Sequence, residues 1–455
     1  MVPPGLSGAL MPTLHADDME RCVVMKKIIN EGTYFYGSNP QSPMSYRLQL
    51  RFLDKINEAA LRQALALTVQ RYPYYMVRCI SDGREYWLEP NNLPFELHHT
   101  AEPLALGSEA VNHYLWAVSY QDDCLWLNIF HGLADATASM HVLRTLAYYY
   151  CRDQYDKALA LDGIRVGEVI PLSETENPFE TMMGQLAAEE GAAPQKSPEA
   201  SRATAAAQPQ PFSLFEDSRL HITAPVNHKL RIKQKDMMQY CREQDGTPGV
   251  VTSLLLARAI DAVNPGNTRP IVTGMAMNLR PALEAPDYMG SPVGIAYLSY
   301  DGKLKEKPFT IQATGYRGRL ILASDPDRLQ LSTKAVCGLC KIIDGLPQLA
   351  MKKAAAQKVL NAQLGTTSFA VSYLGPVRLG AVEQYVKEIR LLNEAGKNAI
   401  MIEIMSSNGY FFLDFVQQWQ EELYFEAFCQ QLTLQGIPYE WEGVEAHRVC
   451  AVELP

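Results

Sequence analysis

The stretch "LWLNIFHGLADATASMH", Leu125 to His141, runs an alternating apolar segment into a histidine, with an aspartate four residues later. Imidazole titrates near neutrality, so His131 could act as a general base, taking a proton from an alcohol, amine or thiol as it attacks a carbonyl. Asp135 falls across a turn, where it can cap the next helix and hold the loop in shape. The spacing does not establish a relay through the ring. By itself H-x-x-x-D is a weak signal in a chain with nine histidines, and a chance pairing at a strand end is the competing reading.

The elements around the pair must place it. Leu125, Leu127 and Ile129 share one strand face, with His131 in phase behind them, while Trp126 and Phe130 cover the other face. Both sides look covered, so the strand reads as central. Helical spacing resumes through Met140, Leu143, Leu146, Ala147 and Tyr150. Upstream, "SYRLQLRFL" alternates as a strand and "INEAALRQALALTVQRYP" is a helix stopped at Pro73. Further on, "NHKLRIKQ", "RPIVTGMAM", "SFAVSYLG" and "GYFFLDFV" read as strands. Thr247 and Pro248 open one helix as N-cap and first helical residue, Gly365 closes another, and "EELYFEAFCQQLTLQG" makes the last. The segment "AAEEGAAPQKSPEASRATAAAQPQPF", Ala187 to Phe212, has almost no large apolar residues and reads as a linker or surface excursion. The expectation is therefore an α/β (α+β) protein of two lobes, an N-terminal lobe over 1–183, a linker over 184–212 and a C-terminal lobe over 213–455, with a cleft between lobes for a ligand.

Composition narrows the class. The chain has 455 residues, 47% of them hydrophobic, and a formal charge of −9; that balance gives no electrostatic footprint for nucleic acid or an anionic membrane surface. No apolar run reaches the roughly 18 residues of a membrane span, and no signal peptide is evident, so a cytoplasmic protein is expected. Nine scattered cysteines fit reduced thiols. Cys337 and Cys340 form a C-x-x-C, but without a second such pair they read as ordinary thiols. No phosphate loop, dinucleotide fingerprint or zinc cluster occurs, and no G-x-S-x-G elbow offers a serine nucleophile.

Taken in order, the segments resemble a known family. "FHGLADATASMHVLRTLAYYY" resembles the H-x-x-x-D-G core of the chloramphenicol-acetyltransferase-like superfamily, which includes alcohol acetyltransferases, plant BAHD acyltransferases, polyketide-associated acyltransferases and peptide-synthetase condensation domains. The opening "MSYRLQLRFLDKINEAALRQALALTVQRYPYYMVRC" is similar to their first strand, helix and R-Y-P turn. "MNLRPAL" resembles their N-x-R-P segment, "MGSPVG" a Gly-containing strand start, and "AVSYLGPV" the S-x-L-G strand of the alcohol acetyltransferase branch. The resemblance spans nearly the whole chain except the linker. There are departures: Phe130 stands where condensation domains carry a first histidine, Ala136 replaces the motif's glycine, and the plant D-F-G-W-G signature is absent. The doublet His98-His99 lacks the motif's aspartate and reads as surface.

The resemblance implies two lobes with a tunnel between them, entered from opposite faces by acyl donor and acceptor. It implies His131 as general base, direct attack without an acyl-enzyme, and Asp135 turned away to pair with Arg280 of the other lobe. Ser372 is the implied oxyanion donor, with Thr367 as the second choice. Asn278 is read as satisfying backbone near Arg280, and His141 as a partly buried structural residue. The basic stretches "NHKLRIKQK" and "YRGR" read as solvated faces rather than coenzyme A contacts. The expectation is a monomeric O-acyltransferase that binds no cofactor and uses acyl-coenzyme A as co-substrate and a small-molecule alcohol as acceptor. An amine acceptor, an acyl carrier protein as donor, and a catalytically silent module that binds a ligand between the lobes stay open. A zinc or redox protein built on Cys337 and Cys340 is a third reading.

Overall fold

The computed structural model describes residues 25–28, 32–192 and 210–455. In chain order the first part contains β1 (Lys26–Lys27), α1 (Gly32–Gly37), β2 (Ser45–Phe52), α2 (Glu58–Arg71), β3 (Val77–Ser81), β4 (Tyr86–Pro90), β5 (Leu97–His99), β6 (Trp116–Gln121), β7 (Cys124–Phe130), α3 (Ala136–Gln154) and α4 (Pro178–Ala192). The Asn57 side chain accepts the Ala59 and Ala60 N–H groups to start α2, which ends just before Pro73. All seven residues of β7 are buried, as a strand flanked by neighbours on both edges and packed on both faces requires.

The second part contains β8 (Val226–Lys233), α5 (Gln234–Glu243), α6 (Pro248–Val263), β9 (Ile271–Asn278), β10 (Val293–Tyr300), α7 (Gly302–Lys305), α8 (Phe309–Ala323), α9 (Pro326–Asp344), α10 (Leu349–Leu364), β11 (Phe369–Tyr373), β12 (Val386–Asn393), β13 (Ile400–Ser407), β14 (Tyr410–Gln417), α11 (Leu423–Leu434) and β15 (Glu440–Ala446). Thr247 accepts the Val250 N–H and Pro248 opens α6, whose central residues are almost all buried.

Two large sheets result, each with its own apolar core. The second has the order β10-β9-β11-β13-β14-β8-β15, with β11 parallel to both neighbours. The first has the order β12-β2-β7-β6-β5. Its outer strand corrects the simple division of the chain at the linker. β12 lies within the expected C-terminal lobe, yet it pairs antiparallel with β2 and buries Val386, Ile389 and Leu391 in the first core. The exchange covers the open edge of β2, whose unpaired backbone groups would otherwise face the other lobe. The chain end returns as well, with Leu106 pairing to Val452. The expected linker, 184–212, begins inside α4, and Phe212 donates to the Pro270 carbonyl; residues 193–209 lie outside the described residues.

Where the sheets meet, β12 packs on β13 and β14. Its Arg390, 1% exposed, donates to Asp414 of β14 at 3.2 Å, and Asp414 is fully buried. Arg390→Met leaves that buried carboxylate with the neutral Asn227 amide in place of a cation, and a stability loss of about 3–5 kcal/mol is expected in urea titrations. A loss under about 1 kcal/mol would show that the contact does not fasten the lobes.

Candidate active site

The end of β7 is held from three sides. The His131 N–H donates to the Met44 carbonyl at 2.8 Å, extending the β2–β7 pairing past Ser45 and Phe130. Met44 carries a φ of 55°, a left-handed conformation that a methionine rarely adopts and that is typical of sites where geometry outweighs local strain. Gly132 is required by space: a Cβ there would stand 2.5 Å from the Phe130 ring and 2.8 Å from Phe35. Phe130 itself is core, edge-on to Phe35.

The His131 ring is half-buried in an aromatic niche. It stacks on Tyr34 with centroids 4.6 Å apart, and Tyr46 meets it edge-on at 5.2 Å. Tyr46 is pinned in turn, its hydroxyl bonded to the Ala134 carbonyl and Ser139 Oγ. His131 Nδ1 lies 2.9 Å from Ser291 Oγ. Burial lowers the His131 pKa from its ordinary value, and the Asp135 charge only partly opposes this. The ring is therefore a neutral base at pH 7. In the tautomer with the proton on Nδ1, donated to Ser291, Nε2 carries the lone pair.

Asp135 faces elsewhere. It is the N-cap of α3, accepting the Ala138 N–H at 2.8 Å, and its two oxygens take Arg280 Nη1 and Nη2 at 2.7 and 2.9 Å. Both side chains are 5% exposed or less. The remaining Arg280 donors reach the Tyr288 and Gly290 carbonyls and Asn278 Oδ1, so all five guanidinium N–H groups have acceptors. Asn278 also accepts the Arg280 backbone N–H. This clamp fixes the segment that ends in Ser291, and Ser291 in turn holds His131.

The structure thus brings His131, Asp135 and Arg280 into one connected unit. Ser372 is buried on β11, opposite Glu403 of β13 in the parallel register. Thr367 precedes β11 and bonds Asn398. Ala136 is the first residue of α3, where it serves the helix as well as glycine would. His141 is half-buried on α3, and burial with the charges of Arg165, Arg144, Arg280 and Arg71 drives its pKa down to about 3. His98 and His99 sit on the edge strand β5, and Cys337 and Cys340 are buried along α9. Sequence reasoning missed Ser291, Tyr34 and Met44. Ser291 had a signal in "MGSPVG", and Met44 opens the strand segment "MSYRLQLRFL", though neither pattern points to His131; Tyr34 had none.

Comparison with known proteins gives the fold a place. No family model and no curated protein matches the chain. Among solved structures, TRI101 of F. sporotrichioides, complexed with coenzyme A and T-2, superposes with a TM-score of 0.58 at 11% identity, over 92% of this chain and all of that one. Polyketide synthase associated protein 5 from Mycobacterium tuberculosis gives 0.58 at 13% identity, over 90% and 99% of the two chains. The EpoB cyclization-docking bidomain from Sorangium cellulosum gives 0.56 at 11%, over 92% and 85%. The architecture is that of the two-lobed chloramphenicol-acetyltransferase-like and condensation-domain proteins. No helix among the described residues is long and apolar enough to cross a membrane.

Two outcomes follow from this geometry. Asp135→Asn or Arg280→Met alone leaves a buried charge unpaired and should cost about 3–5 kcal/mol in denaturant unfolding, whereas the double variant Asp135→Asn/Arg280→Met should lose clearly less than the sum; additive losses would show that the pair is not coupled. NMR titration of the imidazole should place the His131 pKa below 6.5. The native state then binds fewer protons than the unfolded chain around pH 6, so this group adds stability as pH rises through that window and withdraws it as pH falls.

Proposed function

We propose that the protein is an acyltransferase that moves an acyl group from a coenzyme A thioester to a hydroxyl acceptor, with His131 as general base and no acyl-enzyme. The observation that carries this reading is the placement of His131: an imidazole fixed at Nδ1 by Ser291 and by rings on two sides at the end of a buried central strand, where burial lowers its pKa. The fold-level likeness to TRI101, crystallised with coenzyme A and T-2, supports the choice of donor.

In the proposed reaction Nε2 takes the hydroxyl proton as the oxygen attacks the thioester carbonyl. The tetrahedral oxyanion collapses, the C–S bond breaks, and the imidazolium returns the proton to the leaving thiolate. Asp135 takes no proton in this scheme; with Arg280 it holds the loop on which His131 and Ser291 meet. Ser372 is proposed as the oxyanion donor. The reaction needs no resident cofactor, and the protein is proposed to act as a cytoplasmic monomer. A carrier-protein thioester is the second donor to consider, because the EpoB bidomain shares the fold.

The test is free-thiol release from a panel of acyl-coenzyme A thioesters mixed with pooled alcohols and amines. Wild type should release thiol only when an acceptor is present, and His131→Ala should fall by about 10²–10⁴. Release that is acceptor-independent, or equal in the variant, would refute the assignment; release from an acyl carrier protein alone would move it to the second donor.

A further inference from the structure

Glu403 is fully buried on β13. Ser372 faces it from β11 in the parallel register, and Asp414 faces it from β14 in the antiparallel register. Asn393 of β12 donates to its Oε1 at 3.2 Å, while Oε2 has no hydrogen-bond partner among the described residues. Among the described residues no cation is set against this carboxyl. Arg390, the buried guanidinium of β12, is taken up by Asp414, Glu388 and Glu442, and His447 turns its Nε2 to the Asn393 carbonyl at 2.8 Å. A buried carboxylate without a cation is costly, so the group keeps its proton. Burial pushes its pKa up to about 8, with the Asp414 charge adding to the rise and Ser372 and Asn393 opposing it.

This position adjoins the candidate site. Asn393 lies opposite Tyr46 in the β12–β2 register, and Tyr46 is one of the rings against His131. The next residue, Glu394, bonds Ser42 Oγ at 2.8 Å and the backbone of Met44, whose carbonyl holds the His131 N–H. On the other side, β11 pairs with β9, the strand that runs into Asn278 and Arg280.

On the acyl-transfer reading, we propose that Glu403 is a positioning residue, which as a neutral acid donates to Ser372 Oγ and leaves the Ser372 O–H free for the oxyanion. A serine hydroxyl has one proton to give and two lone pairs to offer. Against a protonated carboxyl it accepts from Glu403 and its own proton points away. Against an ionised carboxylate, which can only accept, the proton turns to Glu403 and the oxyanion loses its donor.

The experiment uses the full chain with acetyl-coenzyme A and whichever acceptor the pooled screen identifies. Wild-type kcat should fall as pH rises through about 8, with KM little changed. Glu403→Gln, whose amide donates at every pH, should keep kcat at pH 7 within about threefold and lose that alkaline fall, whereas Glu403→Ala should drop kcat about tenfold. Ser372→Ala should cost about 10²–10³ and make the Glu403 substitutions indifferent. Infrared spectra of ¹³C-glutamate-labelled protein, differenced against Glu403→Gln, read the carboxyl without turnover. The protonated band should be present at pH 7, and its titration should move upward in Ser372→Ala. An alkaline limb unchanged in Glu403→Gln, a carboxylate already ionised at pH 6, or a titration indifferent to Ser372 would each overturn the role while leaving acyl transfer standing. No thiol release from wild type would instead remove the acyl-transfer reading and this role together.

Discussion

The ion pair between Asp135 and Arg280 is the constraint on which the candidate site depends. Two buried charges of opposite sign repay their desolvation only when geometry is good and the remaining donors are used. Here the bond is bidentate, and every other guanidinium donor reaches a backbone carbonyl or Asn278. Because Asp135 caps α3 and Arg280 follows β9, the pair ties the turn behind His131 to the second sheet. The same guanidinium grips Tyr288 and Gly290, so Ser291 arrives beside the imidazole through a short and fully bonded path. Asp135 is thereby structural and positional, and on the proposed acyl-transfer reading the chemistry falls to His131.

A second constraint comes from the exchange of β12. A strand that leaves one lobe to finish the sheet of the other brings its polar residues to the junction. Arg390 therefore meets the fully buried Asp414, and Asn393 meets the fully buried Glu403, where the two sheets join. In such surroundings protonation states are set by packing. Glu403 holds a proton near neutrality, and Glu394, beside the His131 loop, is pushed by burial to about 7. His131 is pushed the opposite way for the same reason, since burial disfavours whichever form is charged.

Much of this was legible in the chain itself. The period-two run through Leu125, Leu127 and Ile129 and the helical stripe from Met140 to Tyr150 determined β7 and α3, because only those periods place the apolar side chains on one face. Thr247 and Pro73 marked a helix start and a helix end by local hydrogen bonding, which needs no distant partner. The ordered set of motifs pointed to His131, Asp135 and Arg280. Other features were not local. β12 is not among the strands read from the sequence, and its place in the first sheet is decided by the open edge of β2, which lies far from it in the chain. Ser291, Tyr34 and Met44 carry no pattern that names His131 as their neighbour, since they come from segments far apart in sequence. The charge states of His131 and Glu403 belong to the burial that surrounds them, and burial exists only once the sheets have packed. The sequence by itself determined elements such as β7 and α3, whose periodicity is local, and which side chain types could do chemistry; the tertiary structure decided which groups meet and which of them keep a proton, because both depend on contacts and desolvation that no local segment contains.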